Sequence, residues 1–238
     1  MSCFNLLNMR LIIFCLFISY AGLNAQQPFK IVKQYLDQNN FAEADKLLDS
    51  CASQKYKPDS TLYYQFHSKL RQENVKAARK KLKKLENLFP DFSEITFMKG
   101  LLKFTASDYA GSIDEFSEVL RKDPGNVKAL YNRALAFGML EDFGRATEDL
   151  NNCILKDTTF ADAYYSRAHW REYLGMYAEA SHDYEHVIKY QPRNFDAYIA
   201  LAFIHHLQKD EEGACEIIKK AISEGSQAAE EAQYLYCK

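Results

Sequence analysis

Two histidines four residues apart, His182 and His186, have the spacing of a metal site. On one helix, residues at i and i+4 share a face, so two imidazoles there could grip a single ion. Their place in the internal register described below puts them on an outer face with no third ligand in reach. They read as part of an exposed polar face, and no metal is expected. His205 and His206, adjacent in sequence, point in two directions and define nothing. The run Lys76, Arg79, Lys80, Lys81, Lys83 and Lys84 reads as a solvated helix face, with an acidic partner or an anionic envelope polymer as the alternative. There is no phosphate-cradling glycine loop, no His-Glu-x2-His metalloprotease motif and no nucleophile elbow. Carboxylates are plentiful but scattered, with no apolar pocket evident to raise a pKa. The sequence therefore predicts a protein that is not an enzyme and needs no cofactor.

The 238 residues are 47% hydrophobic and 26% charged, with 9 Gly and 5 Pro. That composition fits a folded domain and excludes disorder or a collagen-like fibre. A formal charge of −2 supplies no field that would single out nucleic acid, apart from ten Lys/Arg between Lys55 and Lys84. At the N-terminus, Arg10 precedes an apolar run from Leu11 to Ala21, then Gly-Leu-Asn-Ala. A positive residue, a short apolar stretch and a small residue form an export signal, with cleavage expected after Ala25. The run is shorter than the roughly 20 residues a membrane-spanning helix needs. Met9-Arg10 would itself open a compact signal, so residues 1–8 are read as lying ahead of the true start. Phe14 before Cys15 disfavours a lipoprotein anchor. Cleavage removes one base and no acid, moves the formal charge to −3 and leaves four cysteines in a disulfide-permitting compartment, periplasmic or secreted to the cell surface. No stable membrane insertion is expected after cleavage.

Registering the chain against itself exposes a period of 34. Pro90, Pro124 and Pro192 fall in step, with Asp157-Thr158 at the skipped place. So do the small residues Ala78, Ser112, Ala146, Ala180 and Ala214, and the larger ones Leu82, Phe116, Leu150, Tyr184 and Ile218. Tyr109, Phe143 and Tyr177 each stand three residues before a small position. Within a period, apolar residues recur at helical spacing across Leu130–Leu140 and Phe143–Leu155, with a break at Glu141-Asp142. One helix pair cannot bury its apolar face alone, so neighbours must stack around a continuous core.

This pattern resembles the tetratricopeptide repeat family, whose motif is aromatic-x2-Leu-Gly-x2-Tyr, then Ala-x3-Phe, then Pro. Tyr164-x2-Arg167-Ala168 with Ala180-x3-Tyr184 and Pro192 is one match; Tyr198-x2-Leu201-Ala202 with Ala214-x3-Ile218 is another. The resemblance implies an all-α fold, a right-handed superhelix of stacked antiparallel helix pairs. It divides the chain into a signal at 1–25, a degenerate unit at 26–58, a further unit at 59–92, and repeats at 93–126, 127–160, 161–194 and 195–228. Gly225 stops the last repeat, and Gln227–Tyr236, within segment 229–238 and its approach, reads as a capping helix.

Position 7 of each first helix should face position 23 of the second. The pairs are Lys99/Glu115, Arg133/Asp149 and Arg167/Asp183, replaced by Leu201/Ile217 in the last repeat and Ile31/Leu47 in the first. Both partners change character together, as structural ion pairs require; Gln65/Lys81 fits poorly. Cys51 and Cys153 occupy a small core position and read as buried hydrophobes. Cys215 on the last second helix and Cys237 at the end of the cap are either bridged or two reduced thiols, and the bridge is favoured.

By the resemblance, ligands sit against first-helix positions lining a concave groove. Here these are Phe97, Met98, Leu101 and Phe104; Tyr131, Asn132 and Leu135; Tyr165, His169 and Glu172; and Ile199, Phe203 and His206. Phe97 and Leu101 could instead pack against neighbouring helices. Asn132 matches one residue of the clamp that some members close on a chaperone's C-terminal carboxylate. The basic partners are missing, since Phe97, Leu101, Asp162 and Ser166 stand in their places. The expected function is a non-enzymatic protein-interaction scaffold of the cell envelope, holding a segment of another protein, as a monomer or within a hetero-complex. The alternative is a module that binds carbohydrate or an anionic envelope polymer.

Overall fold

A computed structural model describes residues 27–237; the expected signal at 1–25 lies outside the described residues. Among the described residues there are thirteen helices and no strands. The chain divides into two compact units, one ending at Asp108 and one beginning at Tyr109.

The first unit holds α1 (Gln27–Asp37), α2 (Phe41–Ser53), α3 (Pro58–Arg71), α4 (Val75–Leu88) and α5 (Ile95–Thr105). Phe29, Val32, Leu36, Ala44, Leu47 and Leu48 form one buried cluster, with Ile31 packed on it. Leu62, Phe66, Ala78, Leu82, Leu85, Met98 and Leu102 form another.

The second unit holds α6 (Tyr109–Lys122), α7 (Val127–Met139), α8 (Phe143–Lys156), α9 (Ala161–Tyr173), α10 (Tyr177–Tyr190), α11 (Phe195–Leu207), α12 (Glu211–Ser223) and α13 (Gln227–Tyr236). Here α7 packs on α8, α9 on α10, α11 on α12 and α13 on α12, and each second helix also touches the next first helix. The small residues explain the close approach: Ser112, Ala146, Ala180 and Ala214 are all fully buried. Phe116, Leu150, Tyr184 and Ile218 fill the space beside them. Deleting such side chains to Ala typically costs ~2–5 kcal/mol, so this series supplies much of the stacking energy.

The turns repeat as strictly as the core. Asn39, Glu73, Ser107, Glu141, Gly175 and Lys209 all have positive φ, and each is 34 residues from the next. The following amide bonds back across the turn, as in Asp142 N to Phe137 O at 3.0 Å and Asp210 N to His205 O at 2.9 Å. This left-handed closure satisfies the orphan carbonyls of the first helix and reverses the chain within about three residues. Asn40, Asn74, Asp142, Asp210 and Ser226 then cap the next helix, their side chains accepting its exposed amides.

Candidate protein-binding face

On α9 and α11 the expected groove residues recur at i, i+4 and i+7, which is one helix stripe, and on α7 Tyr131 and Leu135 keep the i, i+4 step beside Asn132. The Tyr131 ring meets Phe160 edge-on at 5.1 Å, and its hydroxyl lies 3.4 Å from Ser166 Oγ. One repeat later, the Tyr165 ring meets Tyr184 at 5.8 Å. Tyr184 donates its hydroxyl to Glu172 at 2.7 Å, and burial with that carboxylate drives the phenol strongly upward. Asn132 donates to Lys128 O on its own helix at 2.8 Å. His206 Nδ1 lies 2.9 Å from Glu211, with its ring against Tyr236. Leu135 is half-buried, His169 is exposed, and Phe203 keeps 39% of its surface in water. The stripe thus combines anchored tyrosines with open aromatic and imidazole groups.

Phe97, Leu101 and Phe104 lie on α5 in the first unit and are half-buried; Leu101 packs on the cluster around Phe66 and Met98. Met98, expected in the groove, is fully buried and belongs to the core, because its helix face turns toward α3 and α4.

On the opposite faces run the position 7 side chains. Arg133 reaches Asp149 through Nε at 2.7 Å and a second nitrogen at 2.8 Å, and also Ser117 at 3.0 Å. Arg167 repeats this with Asp183 at 2.9 and 2.6 Å and with Asn151 at 2.6 Å. Arg171 adds a further bond to Asp183 at 2.5 Å, a contact the sequence reading missed. Both carboxylates are buried, so each depends on its fork of donors. Gln65 and Lys81, which fitted poorly by type, are bonded at 2.9 Å, and Gln65 also donates to Asp49 at 3.2 Å. Lys99 bonds Glu86 at 2.7 Å within the first unit; Glu115 lies on α6 in the second. Leu201 and Ile217 meet in the apolar cluster of the last helix pairs.

Trp170, the sole tryptophan, packs against Gly138 of the preceding first helix and was not singled out by sequence. A Cβ at Gly138 would fall 2.7 Å from Trp170 Cε2 and nearer still to Cζ2. The available signal was a glycine inside a helical pattern.

Cys215 and Cys237 are joined by a disulfide with Cα atoms 4.8 Å apart, tying α13 to α12. Cys51 and Cys153 are buried thiols; burial and the nearby Asp149 push the Cys153 thiol up to about 12, which suppresses its reactivity. The His186 ring stacks on Tyr164 at 4.6 Å, with His182 at 5.1 Å. Among the described residues, no group of three His, Cys, Asp or Glu side chains could hold a metal ion, and no helix is long and apolar enough to cross a membrane.

The Tetratricopeptide repeat family matches residues 63–127, 97–152 and 165–229, more than half of the chain. The chain belongs to that family. Tetratricopeptide repeat proteins mediate protein–protein interaction. Serine/threonine-protein phosphatase 5 of Mus musculus is 36% identical over 94 residues, covering 40% of this chain and 19% of that protein. Hsp70-Hsp90 organizing protein 3 of Arabidopsis thaliana is 25% identical over 121 residues, 51% of this chain and 22% of that one. The chain therefore spans about a fifth of either relative. Among solved structures, PilW, a type IV pilus biogenesis factor, superposes with a TM-score of 0.69 at 15% identity, covering 89% of this chain and 99% of that one. That likeness is one of tetratricopeptide repeat fold alone.

Proposed function

We propose that this chain is a non-enzymatic scaffold of the cell envelope that holds an extended segment of a partner protein against α7, α9 and α11. The observation carrying this reading is the stripe of Tyr131, Tyr165, His169 and Phe203, in which half-buried aromatics stand beside exposed ones on successive first helices. Aromatic residues of this kind supply much of the energy of protein contacts, and rigid helices present them without loop ordering costs.

The relatives include a protein named for organising Hsp70 and Hsp90. A chaperone tail is not the ligand proposed here. The places that would need basic residues hold Asp162, which accepts from Gln191 at 3.0 Å, and Ser166, which faces the Tyr131 hydroxyl. An envelope address is supported by the export pattern ending at Ala25 and by the Cys215–Cys237 bridge, since disulfides persist in oxidising compartments.

A second reading, attachment to an anionic envelope polymer, is favoured by one observation. Lys76, Arg79, Lys80, Lys83 and Lys84 are all exposed on α4, with only Lys81 turned inward.

The test is affinity capture from envelope extracts with the wild type and with His169→Ala/Phe203→Ala, both exposed positions that leave the core intact. Partners retained by the wild type and lost by the variant support the groove. Identical capture by both, with strong salt-dependent binding to anionic glycans that Lys80→Ala/Lys84→Ala abolishes, would transfer the function to α4.

A further inference from the structure

Repeat equivalence isolates one place where the last helix pairs differ from those before. Beside α7 and α8, the space outside the first helix is filled by Arg133, by the Phe137 ring and by Arg145, whose guanidinium lies 4.3 Å over that ring. Beside α9 and α10 it is filled by Arg167 and Arg171, both on Asp183, and by His186 stacked on Tyr164. Thirty-four residues on, these positions read Leu201, His205, Ile217 and Lys220. Both guanidiniums are gone, and the backbone frame does not close up behind them.

The result is a recess of about 380 Å³ between α10, α11 and α12. Its floor is Ile188, Tyr198, Leu201 and Ile217; Glu185, Glu216 and Lys220 stand exposed at its rim. At Gly213 the missing Cβ makes room for His205 and Asp210, which are held together at 2.7 Å and close one wall. The Tyr198 hydroxyl is buried with no hydrogen-bond partner. At 100° per residue, Leu201 and His205 lie on the opposite side of α11 from Phe203 and His206, so this is not the groove.

We propose that this recess is a second binding site, receiving one aromatic or branched apolar side chain of a partner protein whose adjacent residue is basic. The floor offers apolar burial in a volume within the ~300–1,000 Å³ of ordinary ligand pockets. The rim chooses the neighbour: Glu185 stands where Asn151 and Ser117 receive arginine in the earlier repeats, and Glu216 adds a second carboxylate. The two carboxylates outnumber Lys220 at the rim, so the occupant restores from outside the guanidinium that the last repeat lacks, with an apolar body replacing the missing side chain.

Methyl-labelled full-length protein titrated with a capped Phe-Arg amide tests this by NMR. Saturable shifts are expected at the Ile188, Leu201 and Ile217 methyls, with binding about tenfold weaker for a capped Phe-Glu amide. Leu201→Arg/Ile217→Asp, which rebuilds the earlier ion pair inside the recess, should abolish the shifts while circular dichroism shows native helix content. Glu185→Gln/Glu216→Gln, a surface change, should erase the preference for Arg. His169→Ala/Phe203→Ala should change nothing, which separates this site from the groove. Absence of saturable shifts, or equal affinity for both dipeptides, would overturn the proposal.

Discussion

The helix pairs α9–α10 and α11–α12 share one backbone frame and answer the same packing question in opposite ways. In the first, Arg167 and Arg171 converge on Asp183, whose side chain has no solvent exposure. In the second, Leu201 meets Ile217, and a disulfide fastens the next helix outside. The frame fixes how far apart positions 7 and 23 lie, so complementarity in either currency satisfies it. The two solutions fail differently. A buried carboxylate tolerates no loss of donors, whereas an apolar pair tolerates unfilled space and leaves a recess.

The largest effect should come from crossing one solution with half of the other. Arg167→Leu removes both bonds to Asp183 and the bond to Asn151, leaving Arg171 as the remaining cation. A loss of about 3 kcal/mol is expected, near the low end of the ~3–5 kcal/mol for a broken buried pair, because Arg171 stays. Adding Asp183→Ile imports the apolar pair entire, and urea unfolding should show the double variant more stable than the single one. Equal losses would mean that the two positions do not act as a unit.

Next in size is the staple on the apolar side. Cys215→Ala/Cys237→Ala opens a bridge spanning 22 residues and should weaken the docking of α13 by about 3 kcal/mol. Hydrogen exchange localises the outcome: amides of α13 should lose protection while those of α9 and α10 keep theirs. Uniform loss across α9 to α13 would show instead that the cap stabilises both helix pairs alike.

The contrast also marks what a sequence displays. Ala146, Ala180 and Ala214 announce their roles because core volume depends on side-chain size, and the charge swap at Arg167/Asp183 versus Leu201/Ile217 is visible because both members change at once. The turn register is not visible. Asn39, Glu73, Ser107, Glu141, Gly175 and Lys209 share one left-handed conformation without sharing a residue type, since backbone hydrogen bonds set it. Arg171 was passed over because its partner lies twelve residues away, outside the sixteen-residue spacing of the other pairs. Met98 was misplaced for a related reason: repeat position fixes a helix face only to within the neighbouring residues, and its face tips into the core. The recess beside Leu201 escaped notice altogether, because a sequence records the side chains present and not the space that they leave.

A smaller effect probes the Trp170 contact that ties α9 to α7. Gly138→Ala places a methyl against the indole, which must move, and overpacking of this kind costs about 1–3 kcal/mol. Since Trp170 is the chain's single tryptophan, its emission reports the displacement without labelling. The corresponding residue at the α11 level is Ile204, fully buried, and Ile204→Trp should not be accepted there. An unchanged spectrum in Gly138→Ala would show that the indole does not rest on α7.

The smallest expected effect sets His186 against Lys220, its equivalent one repeat later. Burial holds the His186 imidazole below its ordinary value of 6.5, helped by His182 and Lys189 and opposed by Asp183. Its Nδ1 is buried with no partner, and the ring lies flat on Tyr164. Below the ordinary value the unfolded chain takes up the proton more readily than the folded one, so stability present at neutral pH is lost as pH falls through the folded value. Lys220 at the equivalent place brings no imidazole to the contact. His186→Phe keeps a ring on Tyr164 and removes the titration. Between about pH 7.5 and about pH 5.5, the urea midpoint of the wild type should therefore fall further than that of His186→Phe. Parallel decline in the two proteins would place the acid sensitivity elsewhere, and a rise in the wild type would reverse the sign argued for this ring.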